Sequence, residues 1–183
     1  MENNPEIILI RKVMNGETDS FNSLINIYRG KLFGYLLKFS GDRVTAEDLF
    51  QETLIKAWSG FKKYNEENKF SSWLFTIAHN VALDFLRKNK NKFHSITDEE
   101  IENLPAQENH EKTIESEELK LIINKIVKSL PEKQKNVFLL RQHGELTFNE
   151  ISALTNEPLN TVLSHMNYAV KKIKKVLRDK NAI

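Results

Sequence analysis

Residues 46–58 read AEDLFQETLIKAW, and residues 71–92 read SSWLFTIAHNVALDFLRKNKNK. Apolar groups recur at three- and four-residue steps in both, which predicts two amphipathic helices. In the first, Ala46, Leu49, Phe50, Thr53, Leu54, Ala57, Trp58 and Phe61 fall on the predicted buried side. Asp48, Gln51, Glu52 and Ile55 fall opposite. In the second, Leu74, Ile77, Ala78, Val81, Ala82, Phe85 and Leu86 share one face. Asn80, Asp84, Arg87 and Lys88 form a polar stripe that leads into a basic end. An acidic face on one helix and a basic face on the next point to a module that grips a protein on one side and nucleic acid on the other.

Helical periodicity continues on both sides of this pair. A short helix is predicted over 5–15, with Pro5 in its first turn and Gly16 as its stop. A longer one follows a Thr18-Asp19-Ser20 cap, with Phe21, Leu24, Ile25, Tyr28, Leu32, Leu36 and Phe39 as its stripe. Thr45 and Asp48 have the spacing of a capping box, so the third helix is predicted to start there. A polar loop over 62–69 precedes the fourth. Between Ser95 and Glu118 the apolar stripe disappears and acids stand against the single Lys112. Too few apolar groups remain to offset the entropy of ordering, so 93–118 is predicted to be an acidic linker. It separates an N-terminal helical domain, 1–92, from a C-terminal one, 119–183.

The C-terminal domain opens with Leu119, Ile122, Ile123, Ile126, Val127 and Leu130 on one helix face. Pro131 suits the first turn of the next helix, and Gly144 is predicted to end it as a left-handed cap. Thr147 and Glu150 form a second capping-box pattern, opening a short helix through Leu154. The turn Thr155-Asn156-Glu157-Pro158 leads to a last helix from Leu159. Short helix, tight turn and longer helix make a helix-turn-helix pattern. Its core is predicted to be Ile151, Leu154, Val162, Met166, Ala169 and Ile173. Asn160, Thr161, Leu163, Ser164, His165, Asn167 and Tyr168 would form the outer face, followed by Lys171 and Lys172. The fold class is therefore all-α: two small helical domains, the second a helix-turn-helix.

Composition narrows the function. The chain has 183 residues, a net charge of +2 and no cysteine, which excludes disulfides and thiolate zinc sites. No apolar run is long enough to span a bilayer, and the N-terminus does not read as a signal peptide, so a cytoplasmic location is expected. A helical metalloenzyme could draw on Glu47, Asp48, Glu52, His79 and Asp84. The chain lacks His-x-x-x-His, Glu-x-x-His and a glycine-rich phosphate loop, so no metal, cofactor or catalytic residue is expected. A helix-turn-helix regulator with the N-terminal helices as a partner domain is a further alternative. It predicts operator binding by the chain alone.

AEDLFQETLIKAW, WLFTIAHNVALDFLRKNK, LPEKQKNVFLL and LTFNEISALTNEPLNTVLSHM occur in that order, with the acidic segment after the second. Together they resemble the bacterial sigma-70 family, in its extracytoplasmic-function (ECF) group, over nearly the whole chain. The resemblance implies a non-catalytic transcription initiation factor with no small-molecule substrate and no membrane insertion. Its implied partners are RNA polymerase core, promoter DNA and an anti-sigma protein. Asp48, Gln51, Glu52 and Ile55 would dock on the polymerase. Lys62, Lys63, Trp73, Asn80, Asp84, Arg87 and Lys88 would bind and open the minus-ten element. Asn160, Thr161, Leu163, Ser164, His165, Asn167, Tyr168, Lys171 and Lys172 would read the minus-thirty-five element. The chain departs from the family pattern at Leu163, His165, Tyr168 and Val170, where basic residues are common. Glu157 stands where an apolar residue is usual, and Asn160 and Asn156 where glycine is. A changed or weaker upstream element, with a shallower salt dependence, is therefore expected.

Overall fold

The computed structural model describes residues 4–65, 69–89 and 114–179. Among these residues all regular structure is helical: α1 Pro5–Met14, α2 Thr18–Ser40, α3 Arg43–Gly60, α4 Phe70–Asn89, α5 Ile114–Lys128, α6 Glu132–His143, α7 Phe148–Thr155 and α8 Leu159–Asp179, with one 3-10 turn at Phe61–Lys63. The chain divides into two compact units. The first is built on α1–α4, to which residues 143–146 also belong, and the second on α5–α8.

In the first unit, α2 packs against α1, α3 and α4, and α3 packs against α4. The stripe predicted for α2 is its buried face: Phe21, Leu24, Ile25, Tyr28, Leu32, Leu36 and Phe39 are all buried, with Tyr35 beside them. Leu49, Leu74, Phe75 and Ala78 close the core from α3 and α4. Burying such side chains contributes roughly 1.5–3 kcal/mol each before the entropy of ordering is subtracted. Deep in this core the Tyr35 hydroxyl and His79 Nδ1 lie 2.8 Å apart and share a hydrogen bond. Phe75 and Phe39 pack on Tyr35, with ring centroids at 5.6 and 5.9 Å. Burial drives the His79 imidazole down to about 4 and raises the Tyr35 phenol, so both are neutral at pH 7.

The helix ends refine the sequence expectations. Asn4 caps α1, its side chain accepting from Glu6 N–H. Helix α2 begins at Thr18 itself, with Glu17 as N-cap, and Ser20 Oγ donates to the Glu17 carboxylate at 3.1 Å. Helix α3 starts two residues before Thr45. Gly41, at φ +90°, ends α2 in a left-handed turn, and one extended residue, Asp42, then caps α3. Asp42 Oδ1 accepts from Thr45 N–H at 2.8 Å, so the expected box of Thr45 with Asp48 is replaced by an upstream acid. So short a turn leaves no room for a later cap. Replacing Asp42 by Ala should destabilise the first unit by about 1 kcal/mol, read as an earlier chemical-denaturation midpoint. An unchanged midpoint would show that water replaces the carboxylate at no cost.

In the second unit, α5 and α7 pack against α8. Helix α5 starts at Ile114, inside the segment expected to be linker, while 93–113 of that segment lie outside the described residues. Acid-rich, apolar-poor composition points to a linker, yet a helix tolerates acidic residues near its start. Pro131 directly precedes α6, its carbonyl accepting from Lys135 N–H at 2.9 Å. Val137, Leu139 and Leu140 are buried. After α6 the left-handed residue is Glu145, at φ 55°, and not Gly144. The box at the start of α7 forms as predicted: Glu150 N–H donates to Thr147 Oγ1 at 3.2 Å, and Thr147 N–H to Glu150 Oε2 at 2.6 Å. Asn156 takes the left-handed turn at φ 54°, ψ 38°, a conformation asparagine tolerates. Ile151, Val162 and Ala169 are buried, with Leu154, Met166 and Ile173 half-buried around them.

Candidate functional site

Helix α3 turns one face into the first unit through Ala46, Leu49, Thr53 and Ala57, which leaves the opposite face exposed. Asp48, Gln51, Glu52 and Ile55 all lie on that exposed face, and Ile55 is 66% exposed. Glu52 pairs with Lys56 at 2.9 Å, one turn on. Such a surface pair contributes little to stability and is readily exchanged for a partner's charge.

Two residues join this strip that the sequence did not assign to it. Val44 is 71% exposed, one turn before Asp48. Trp58, expected in the core, is 44% exposed. Phe21 and Phe61 already pack together there at 5.9 Å, and Trp58 meets Phe21 edge-on at 5.1 Å. Val44, Asp48, Gln51, Ile55 and Trp58 follow one line at three- and four-residue steps, so apolar groups flank an acid and an amide. The signal in the sequence was Val44 four residues before Asp48. Periodicity alone gave Trp58 to the core, because it sits near the edge of the apolar stripe.

Aromatic packing fixes the approach to α4. Phe61, Tyr64 and Phe70 are buried, and Trp73 packs against all three, at centroid distances of 5.8, 5.2 and 5.5 Å. Phe70 and Phe75 are core residues with no free ring face, whereas Trp73 is only half-buried. Lys62 and Lys63 sit exposed on the 3-10 turn between Phe61 and Tyr64. The core thereby anchors a pair of ammonium groups on both sides. Along α4, Asn80, Arg87 and Lys88 are exposed and Asp84 is half-exposed, all on the stripe expected for them. Arg87 Nη1 lies 3.4 Å from Asp84 Oδ1, a long contact that leaves the guanidinium available. Of the alternative metal ligands, His79 is spent on Tyr35 in the core, and no metal-holding cluster occurs among the described residues.

On α8, Asn160, Leu163, Ser164, Asn167, Tyr168, Lys171 and Lys172 are exposed, and Thr161 is half-buried. Tyr168 is 62% and Leu163 40% exposed, so neither is needed to fill the core. Three side chains are committed elsewhere. Ser164 Oγ donates to the Asn160 carbonyl at 2.8 Å, within its own helix. Lys172 Nζ donates to the Ser129 carbonyl at 2.6 Å, at the C-terminal end of α5, where a cation suits the helix dipole. His165, expected on the outer face, is turned inward, its side chain 19% exposed and Nε2 3.4 Å from Glu157 Oε2. Glu157 also accepts from Lys133 Nζ at 2.7 Å. Glu157 thus pairs with Lys133 and lies beside His165, whose Nε2 is buried without a hydrogen bond. The Ser152 hydroxyl holds that turn by donating to the Glu157 carbonyl at 2.6 Å.

Comparison with known proteins agrees with this division. Residues 24–92 match the family model for sigma-70 region 2, and residues 126–175 the model for sigma-70 region 4. The ECF RNA polymerase sigma factor SigW of Bacillus subtilis is 29% identical over 93% of this chain and 95% of its own length. The ECF RNA polymerase sigma-E factor of Escherichia coli K12 is 30% identical over 87% of each. Among solved structures, RpoE of Bartonella quintana, in complex with the anti-sigma factor NepR, superposes with a TM-score of 0.70. That match covers 88% of this chain and 98% of RpoE, and at 21% identity it is a likeness of fold. CnrH, in complex with the cytosolic domain of CnrY, gives a TM-score of 0.67 at 18% identity, over 96% of this chain and 99% of CnrH. With both regions in order and a relative 30% identical over 87% of its length, the chain belongs to the sigma-70 family, in the ECF group of RNA polymerase sigma factors.

Proposed function

We propose that this chain is a cytoplasmic transcription initiation factor that binds RNA polymerase core, directs it to a promoter subset and assists strand opening. Residues 1–92 serve core and minus-ten binding, 93–118 the linker, and 119–183 minus-thirty-five binding. One observation carries this reading. A single helical unit exposes an acid-amide-apolar strip on α3 and a polar-basic stripe on α4, followed in the chain by a helix-turn-helix. The α3 strip fits a basic protein surface with shallow apolar pockets. The α4 stripe and the lysine pair fit DNA. Arg87, Lys88, Lys62 and Lys63 hold phosphates, Trp73 offers a partly open ring, and Asn80 offers amide donors and an acceptor for a base edge. Extruding a base costs roughly a few kcal/mol, so several such contacts must act together.

The chain performs no nucleotide chemistry; the polymerase supplies it. An anti-sigma protein is the expected regulator, since covering the α3 strip would hide the polymerase-binding surface. Run-off transcription with core polymerase, with and without the chain, tests the assignment. Promoter-specific transcripts are expected only in its presence. Operator binding in a gel shift with no effect on polymerase would instead favour a conventional helix-turn-helix regulator. Replacing Asn80 or Arg87 by Ala should slow promoter melting about 5- to 30-fold, as an interface contact of 1–2 kcal/mol would, with core affinity unchanged. Permanganate reactivity of unpaired thymines reads the melting. Equal losses of melting and core binding would reject the separation of roles between α3 and α4.

A further inference from the structure

The first three turns of α8 hold neither arginine nor lysine: the first of either after Leu159 is Lys171, in the fourth turn. In a helix-turn-helix the N-terminal residues of the second helix meet the base edges. Guanine is read in the major groove chiefly by Arg or Lys bridging O6 and N7, and no such group is placed there. The one imidazole in reach, His165, is drawn back to within 3.4 Å of Glu157, which also holds Lys133 at 2.7 Å. The Ser164 hydroxyl is tied to its own helix. Asn160, Leu163 and Asn167 remain exposed on one face, at three- and four-residue steps. Asparagine is the side chain that pairs with adenine N6 and N7, and an apolar side chain meets the thymine methyl.

We propose that the upstream promoter element read by this chain is biased to A·T pairs, with Asn160 and Asn167 on adenine edges and Leu163 against a thymine methyl. The proposal rests on α8 being the minus-thirty-five reader, and its test separates the two. The full chain is assembled with core polymerase on a promoter library whose minus-ten element is fixed and whose upstream element is randomised, and transcripts are sequenced. Enrichment of A·T over G·C is expected at two or three adjacent upstream positions, on the order of tenfold at each. Leu163→Arg should move one of those positions to guanine and leave the others unchanged. Asn167→Ala should flatten the adenine preference at one position. Both residues are exposed, so thermal melts should match the wild type; were the arginine variant to misfold, the alanine variant still decides. Guanine enrichment with the wild-type chain, a flat upstream profile, or variants that leave the profile unmoved would each overturn the proposal. No transcript above core polymerase alone, from any template, would overturn the initiation-factor assignment and this inference with it.

Discussion

Replacing Asp48 and Glu52 together by lysine should lower affinity for core polymerase about 30-fold or more and abolish promoter-directed run-off transcription. The magnitude follows from truncation of central interface residues, which costs about 2 kcal/mol or more, and from like-charge contact with a basic partner, which adds to it. Both side chains are exposed on α3, so the fold does not depend on them. The reversal replaces the Glu52–Lys56 pair by three cations at 48, 52 and 56, each one turn apart, a loss of about 1 kcal/mol. Lost binding with an only slightly lowered melt is therefore the expected combination. Ile55→Asp probes the apolar half of the strip and should act in the same direction with little effect on the fold, since this side chain is 66% exposed. Affinity is read by titrating labelled chain with core polymerase. Near-wild-type binding by both variants would show that α3 is not the docking helix.

The second large effect is acid lability of the first unit. His79 is 2% exposed, and burial lowers its imidazole from 6.5 to about 4. The folded state therefore holds the neutral ring, while the unfolded chain takes up a proton below pH 6.5. Stability from this group is complete above pH 6.5, falls as pH drops from there towards 4, and is gone below about 4. The full loss is about 3 kcal/mol, a large fraction of a small domain's stability. His79→Gln keeps a polar partner for Tyr35 and removes the titration. Both tryptophans, Trp58 and Trp73, belong to the first unit, so their fluorescence follows its unfolding in urea. The wild type should lose stability more steeply than the variant between pH 6.5 and 4. Carboxylates titrate in both proteins and cancel in the comparison. Identical slopes would mean that the buried ring is protonated in place at no cost.

The two expectations share a cause. Tyr35, Phe39, Phe75 and His79 fill the centre of the first unit, which sets α3 and α4 in place and leaves their outer faces exposed. A loss of packing at His79 would thus reach core binding and DNA binding together. Charge reversal on α3 touches only the first, so the two classes of variant are distinguishable by melting temperature.

The order of helices, the helix-turn-helix and most buried positions are determined by the sequence itself. Apolar periodicity is a local property, and so is a capping box: Thr147 and Glu150 lie three residues apart and close on each other whatever surrounds them. The strip of Asp48, Gln51, Glu52 and Ile55 was legible for the same reason, because a helix turns residues so spaced to one side. Tertiary structure decided the rest. Trp58 is half outside because Phe21 and Phe61 occupy the space its periodicity would claim. Asp42 caps α3 because the left-handed Gly41 leaves only one residue between two helices. His165 lies turned from the outer face of α8, within 3.4 Å of Glu157 across a turn, and Glu157 also holds Lys133 from another helix. Trp58 and His165 depend on which side chains meet from separate elements, and helical spacing carries no record of that; the Asp42 cap is local but follows from the turn at Gly41, which apolar periodicity does not read.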